Sequence, residues 1–391
     1  MKHKLIQAIG AGFVAATSGA FAGDVTVIPV SEPEPCGDWC DTLKNIGTVY
    51  KDKENPFIQE VKFFGRAHYQ WGHTDGEIGG ADFDGKGDEL RRLRFGTSVK
   101  FLNGFKLNAR ANFENGGFRD TSIRYSGFDE LYLEYGLGDV AGFEDVTVGY
   151  GLYKVAFGGE ETESSKKIKT VERSNINNFY APSRATGVLI EAKKNDIDFT
   201  LGVFTVDSDP ETWGQWNGGV AYFGSMAFEA CNGDVMLDLL INDSTVAEDE
   251  VIGYDWAASA TYETKVAGFD LFTNVTFGET HAGDNVHGIV IMPSTELIED
   301  KLEAVVRYQW ARSSGADLLR PQSRNVRNTA GLDGIGVVPR GDENHTIYGG
   351  LNYFLCGHNA KLMAGVEYET VSGGVADTDA TTFWLAARMF F

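Results

Sequence analysis

Past its first two dozen residues the chain lacks any continuous apolar run of the roughly 20 residues that a membrane-spanning helix needs. Bundles of membrane helices are therefore excluded, leaving a soluble protein or a β-barrel. Proline is scarce, 9 residues in 391, which removes the strand breaker that would interrupt long ladders. Basic residues are outnumbered, 34 Lys and Arg against 56 Asp and Glu, a net charge of −22. That balance argues against nucleic acid or an anionic membrane surface as partner. It does not exclude an anion path, because the few charges lining a pore set selectivity. Seven histidines and many serines fall at no catalytic spacing, so no cofactor or turnover is expected. Only His345 beside Glu343 forms a pair worth locating, and it lacks a nucleophile.

Glycine is abundant at 48 residues and aromatics make up 12%, a composition suited to many strands joined by tight turns. The chain opens "MKHKLIQAIGAGFVAATSGAFAGDV". A basic head, an apolar stretch and a small-x-small "AFA" read as an export signal over residues 1–22. Residues 23–56 then form an N-terminal periplasmic segment and 57–391 a transmembrane barrel domain. Export permits disulfides among the four cysteines, and the nearest pair, Cys36 and Cys40, is the expected bridge; a zinc site is the alternative.

Alternation carries the fold class. "QEVKFFGRAHYQW" sets Val61, Phe63, Ala67, Tyr69 and Trp71 against Lys62, Arg66, His68 and Gln70. The same period recurs through "ELRRLRFGTSVKF" and "GFKLNARANFENG" and on to the final "TTFWLAARMFF". About sixteen strands are expected, over 57–71, 88–102, 104–115, 127–137, 143–153, 184–194, 196–206, 218–230, 233–242, 250–264, 267–279, 285–293, 299–312, 343–355, 359–371 and 380–391. Short turns follow the even strands and longer loops most odd ones. That asymmetry is typical of outer-membrane barrels, whose short turns face the periplasm. Closure leaves no sheet edge unpaired in lipid, and sixteen strands enclose an aqueous lumen.

On the expected inward face, basic residues gather on one arc: Lys62, Arg66, Arg92, Arg94, Lys100, Lys106, Arg110 and, across the seam, Arg388. The rest of the wall is acidic, from Glu130 and Glu134 through Asp234, Asp238, Glu263, Asp270 and Glu303 to Glu367 and Glu369. Parity places Arg91 outward or at the rim. The 154–183 loop, with Gly158–Gly159 as a hinge-like break, is the candidate to fold inward and narrow the lumen. Its Lys166, Lys167, Lys169 and Arg173 could meet an anion, and Glu160, Glu161 and Glu163 a cation; the alternative is a solvated surface loop. Asp82, Asp84 and Asp88 in "GGADFDGKGDEL" have the D-x-D-G-x-G-D spacing of an extracellular calcium (Ca2+) loop but no flanking helices, so a plain acidic turn is the alternative. His281, Asp284 and His287 in "HAGDNVH" are a weaker metal candidate.

"DELRRLRFGTSVKFLNGFKLNARANFENGG", "VTVGYGLYKVAFG" and "TVERSNINNFYAPSRATGVLIEAKK" resemble the phosphate-selective porin O and P family, over about residues 57–206. The resemblance implies an outer-membrane porin, a trimer of sixteen-stranded barrels in which early-strand arginines line a constriction that the third loop helps to form. Carried over by position, it gives pore roles to Arg91 or Arg92, to Arg94 and to Arg66. Function is then passive diffusion of small hydrophilic solutes and ions, phosphate and other anions among them, with outer-membrane lipid as the surroundings. The contrasting expectation is a plugged structural barrel that tethers the envelope through its N-terminal segment.

Overall fold

The computed structural model describes residues 37–114, 122–182, 184–206, 216, 219–243, 252–332 and 339–391. The expected export signal and Cys36 lie outside them. A helix, α1 (Gly37–Asn45), and a short strand, β1 (Thr48–Lys51), precede the sixteen strands of the barrel. These are β2 (Ile58–Ile78), β3 (Ala81–Phe101), β4 (Phe105–Glu114), β5 (Arg124–Val140), β6 (Phe143–Lys154), β7 (Arg184–Lys194), β8 (Ile197–Thr205) and β9 (Val220–Ala230). There follow β10 (Gly233–Asn242), β11 (Tyr254–Val266), β12 (Phe269–Thr280), β13 (Asn285–Ile298), β14 (Leu302–Ser313), β15 (Glu343–Phe354), β16 (Ala360–Ser372) and β17 (Thr378–Phe390). Each pairs antiparallel with its sequence neighbours, and β17 pairs with β2 from Thr378↔Ile78 to Phe390↔Arg66, which closes the cylinder.

The two faces of the wall are chemically inverted relative to a soluble barrel. Phe63, Phe95, Leu201, Leu237, Val306, Ile347, Phe383 and Leu385 are exposed on the outside, while Asn274, Gln309, Thr346, Asn352 and Thr382 are buried on the inside. A continuous exposed apolar band of this kind is stable only against lipid. No described helix is long and apolar enough to cross a membrane; the strands do so.

At one end the hairpins turn in two or three residues, the β15–β16 turn excepted. Leu102–Asn103, Asn195–Asp196 and Cys231–Asn232 each have both φ values positive, as do Ala141–Gly142 and Ala267–Gly268. Consecutive left-handed residues make the tight turn whose twist matches that of the flanking strands.

The opposite end differs from expectation at its first connection. Residues 72–87 were expected to be a loop, but β2 and β3 run on for 21 residues each and turn at Gly79–Gly80. About ten residues suffice to cross a bilayer, so about half of this hairpin projects beyond it. Asp82, Asp84 and Asp88 therefore sit on β3, paired with Glu77, Asp75 and Trp71. Alternate residues of one strand are about 7 Å apart, too extended to surround an ion, and no metal-binding cluster is found among the described residues.

The cysteine expectation is also corrected. Cys40 bonds Cys356, in the β15–β16 turn, with Cα atoms 5.4 Å apart. Proximity in the fold, not in sequence, chose the partner. Cys231 is exposed and unbridged in the β9–β10 turn, so the described cysteines do not gather for zinc.

Candidate functional site: an arginine-lined passage

Between β6 and β7 the chain forms two short helices, α2 (Gly159–Thr162) and α3 (Asn175–Tyr180). Ser174 caps α3, its hydroxyl accepting from the Asn177 N–H. The partners of this segment lie on the polar face of strands all round the barrel. Arg307 of β14 donates to Glu172 O at 2.6 Å and to Thr170 Oγ1 at 3.0 Å, and lies 3.3 Å from the Glu160 carboxylate. Lys361 of β16 donates to Ile168 O at 2.8 Å. Arg388 of β17 donates to Val171 O and Ser165 O. Gly158 N donates to Asp238 of β10 at 3.0 Å, and Asn175 N to Gln309 of β14 at 2.6 Å. Apolar packing supplements these bonds: Val155, Phe157, Ile176 and Tyr180 are buried with Phe204, Leu240, Ala257 and Val286.

In the connection between β14 and β15, α4 (Arg324–Leu332) covers β2, β3 and β17. Val326 packs with Ile78, Phe83 and Ala380, Asn325 donates to Thr74 at 2.8 Å, and Arg324 pairs with Glu89 at 2.8 Å.

Beside the first segment lies a cavity of about 410 Å³ lined by Arg66, Arg91, Arg92, Arg94, Arg110, Arg173 and Arg184 with Lys154, against Glu130 and Glu161. Two β-bulges build it. The register slips between His68↔Arg92 and Tyr69↔Leu90, so Arg91 is the extra residue of β3. Arg91 and Arg92, adjacent in sequence, both turn inward, whereas simple alternation put Arg91 outside. On β5 a slip between Arg110↔Glu130 and Ala111↔Phe128 turns Asp129 in beside Glu130. Asp129 is buried and holds the array: Arg184 at 2.8 Å, Arg94 at 2.9 Å and Arg110 in direct contact. Arg66 instead donates to Ser165 Oγ at 2.7 Å. Arg92 is nearly buried, and its Nη1 has no protein partner among the described residues.

The other predicted site residues divide by task. Arg388 is fully engaged with the segment's carbonyls and does not line this cavity. Glu160 accepts from the Ser174 N–H and hydroxyl, and Glu161 pairs with Arg173 at 2.9 Å, so both bind the segment to itself and to the wall. Glu163 and Lys167 face an acidic recess with Asp234 and Glu263. Lys169 pairs with Glu303 at 3.2 Å and approaches Asp270 at 3.9 Å. Lys166 lies over the Phe390 ring at the short-turn end. Burial, then Arg66, Arg110 and Lys62, pull its ammonium down to about 8. Burial followed by the nearby Glu263 pushes Glu163 up. Burial also pulls Glu172 upward, but Arg91, Arg324 and Arg92 hold it below the usual carboxylate range.

Arg307, Lys361, Arg184 and Asp129 were missed. Arg307 shares parity with Glu303, and Lys361 with Glu367, so alternation contained the signal for both. Asp129 was hidden by its bulge. His345 and Glu343, 3.4 Å apart, lie at the outer end of β15 with Tyr308 and Trp310. His281 pairs with Asp255, while His287 stacks edgewise on Trp310 at 5.3 Å. Among the described residues neither group gathers a metal-ligand set.

The model of the family "Phosphate-selective porin O and P" matches residues 61–235, the span that contains both bulges and the first segment. Over that span the chain is similar to this porin family. Solved structures share the fold at low identity. The outer-membrane channel DcaP of Acinetobacter baumannii superposes with a TM-score of 0.56 at 13% identity, over 88% of this chain and 99% of that one. OprB of Pseudomonas putida gives 0.58 at 12% identity, over 91% and 97%. An anion-selective porin from Comamonas acidovorans gives 0.54 at 12%, over 85% and 99%. No curated protein sequence matches the chain. The family match and the fold make it an outer-membrane β-barrel channel suited to passive diffusion.

Proposed function

We propose that this porin passes small hydrophilic anions in preference to cations, through the arginine-lined cavity, with the 155–183 segment as its waist. The observation that carries the reading is the lining: seven arginines and a lysine against two carboxylates. An anion leaving water for a narrow low-dielectric passage is compensated by such fixed cations. The formal charge of −22 does not oppose this, because much of the acidic wall lies on the far side of the segment, where Asp234, Glu263 and Asp270 border another recess. Anion selectivity in the Comamonas acidovorans porin, which has the same fold, supports the reading. The passage works by equilibrium and position alone, without chemistry or a bound cofactor, and the porin acts as a homotrimer in outer-membrane lipid, as the family implies.

The test is the reversal potential of purified trimers in a planar bilayer under a KCl gradient. Wild type should favour chloride, and the double variant Arg92→Ala, Arg94→Ala should shift toward potassium. A cation-selective wild type, or an unmoved reversal potential in the variant, removes the arginine passage from the mechanism. A silent barrel would favour a structural, tethering role.

A further inference from the structure

On the outer face of β13, β14 and β15 a polar cluster stands directly above the apolar band. The upper row of the band is Ile291, Tyr308 and Ile347, paired across the three strands. Two residues nearer the long-loop end come Ile289, Trp310 and His345, and two nearer again His287, Arg312 and Glu343. Arg312 is the last residue but one of β14, a strand of 12 residues. Its guanidinium therefore lies where a strand of about ten residues leaves the hydrocarbon. Tyr308 and Trp310 below it belong to the aromatic girdle of that boundary.

The charges of this cluster are not equally free. Glu343 accepts from the Trp310 indole N–H at 2.8 Å and lies 3.4 Å from His345 Nε2. His345 Nδ1 meets the Tyr308 hydroxyl at 3.0 Å. Arg312 is exposed and stands beside Glu343 in its row, yet makes no hydrogen bond or ion pair with any described residue. His287, its neighbour on β13, packs edgewise on the Trp310 ring at 5.3 Å. The ring nitrogens of His287 make no hydrogen bond with a described residue, and in either protonation state an imidazole keeps an N–H to donate. A guanidinium fork beside that donor matches an acceptor with several oxygens, a phosphate above all.

The seat is local. Followed across the sheet, the row of Trp310 and His345 leads through Thr370 to Asp379, Glu77 and Asp82, with Asp75 opposite Asp84 close by. A phosphate is repelled there and attracted at Arg312. The seat also opens away from the lumen, because Arg307, Gln309 and Ala311, of opposite parity on the same strand, are the residues buried inside. In outer-membrane barrels the long-loop end is the outer one, so the lipid met here belongs to the outer leaflet.

We propose that Arg312 and His287 bind a phosphate of a phosphorylated glycolipid of the outer leaflet. Its sugar rests on the Trp310 ring and its acyl chains on the exposed Ile291, Val306 and Ile347. The site is independent of what passes through the lumen.

The test is native mass spectrometry of the detergent-purified protein with bisphosphorylated lipid A, repeated with phosphatidylglycerol and with excess inorganic phosphate as competitor. Wild type should retain lipid A in preference to phosphatidylglycerol, and inorganic phosphate should not displace it. Arg312→Gln, which keeps the reach of the side chain and loses its charge, should lower the apparent affinity for lipid A about tenfold, the scale of one charge-assisted hydrogen bond. His287→Ala, a second and separate variant, should lower it as well. Lys51→Ala, which removes an exposed cation at the opposite end, should leave it unchanged. Heat-modified gel mobility verifies that each barrel is folded. Equal lipid A binding by wild type and Arg312→Gln, or an equal loss in Lys51→Ala, overturns the seat. Equal retention of phosphatidylglycerol overturns the glycolipid as occupant, and displacement by inorganic phosphate overturns a lipid of any kind.

Discussion

Arg307 and Glu160 lie 3.3 Å apart, the first on β14 and the second on helix α2 of the segment between β6 and β7. The same guanidinium reaches Glu367 of β16 at 3.3 Å and sits over the Tyr348 ring. One fully buried side chain thus joins the segment to two strands. Removing one partner of a buried pair leaves a charge uncompensated, at a cost on the order of 3–5 kcal/mol. Arg307→Ala should leave the barrel folded, because the ladder is unaffected, but release the segment. Larger and noisier single-channel conductance is expected, with faster proteolysis within residues 158–172; unchanged conductance would show that the segment is held without Arg307.

The bulge makes neighbours unlike. Glu172 accepts from Arg91 and Gln70 at 2.7 Å each, whereas Arg92 keeps a nitrogen without a protein partner inside the cavity. Arg92→Ala should reduce the chloride preference and leave thermal stability within about 1 kcal/mol of wild type. Arg91→Ala should instead raise the conductance noise by loosening Glu172. Reversal potentials and noise spectra of the two variants should separate; identical changes would argue against distinct tasks.

A pH dependence of the channel is expected from Lys166. With its ammonium lowered to about 8, it is charged below that pH and neutral above. Arg66, Arg110 and Lys62 repel the charge, and Glu130 opposes them more weakly. Chloride preference should therefore fall as pH rises from 7 to 9, and Lys166→Arg, which keeps its charge throughout, should flatten the profile. A pH-independent wild type would place Lys166 outside the permeation path.

The cysteines can be checked by digestion without reductant. A cross-linked peptide pair containing Cys40 and Cys356 is expected, while Cys231, exposed in its turn, should take up maleimide in the folded protein. Closure of so long a loop restricts the unfolded chain by a few kcal/mol in the chain-entropy model, so reduction should lower the unfolding temperature. A Cys36–Cys40 peptide would reinstate the bridge expected from spacing.

Tyr348 lies against the Cα atoms of two glycines on neighbouring strands. A Cβ at Gly350 or Gly365 would come within 2.4 or 2.3 Å of its hydroxyl. Gly365→Ala should push the ring off its seat beneath Arg307 at about 1–3 kcal/mol, the usual cost of overfilling a packed site. Lower heat-modification temperature and increased conductance should appear together; a change in neither would show that Tyr348 can move without disturbing the waist.

Much of this was readable before any coordinates. The strand from 184 to 194 and that from 233 to 242 fall where alternation put them, because each side chain meets lipid or water directly and the period of two is imposed at every step. Lys62, Arg66, Arg94 and Arg110 were inward for the same reason. Failures came where the period breaks. A bulge adds one residue and reverses parity beyond it, so Arg91 and Asp129 could not be placed by counting. The 72–87 hairpin was mistaken for a loop because outside the bilayer its side chains no longer alternate in hydropathy, although its backbone still pairs.

The sequence by itself determined the cylinder: solvent on two sides of a single layer writes itself into alternate residues, and lipid forbids an open edge. Tertiary structure alone decided what fills the cylinder. Which carbonyls Arg307, Lys361 and Arg388 seize, which cysteine Cys40 meets, and which cations face one another across the passage depend on contacts between residues from about twenty to more than three hundred positions apart. No local period records such distances, since they arise only once the sheet has closed.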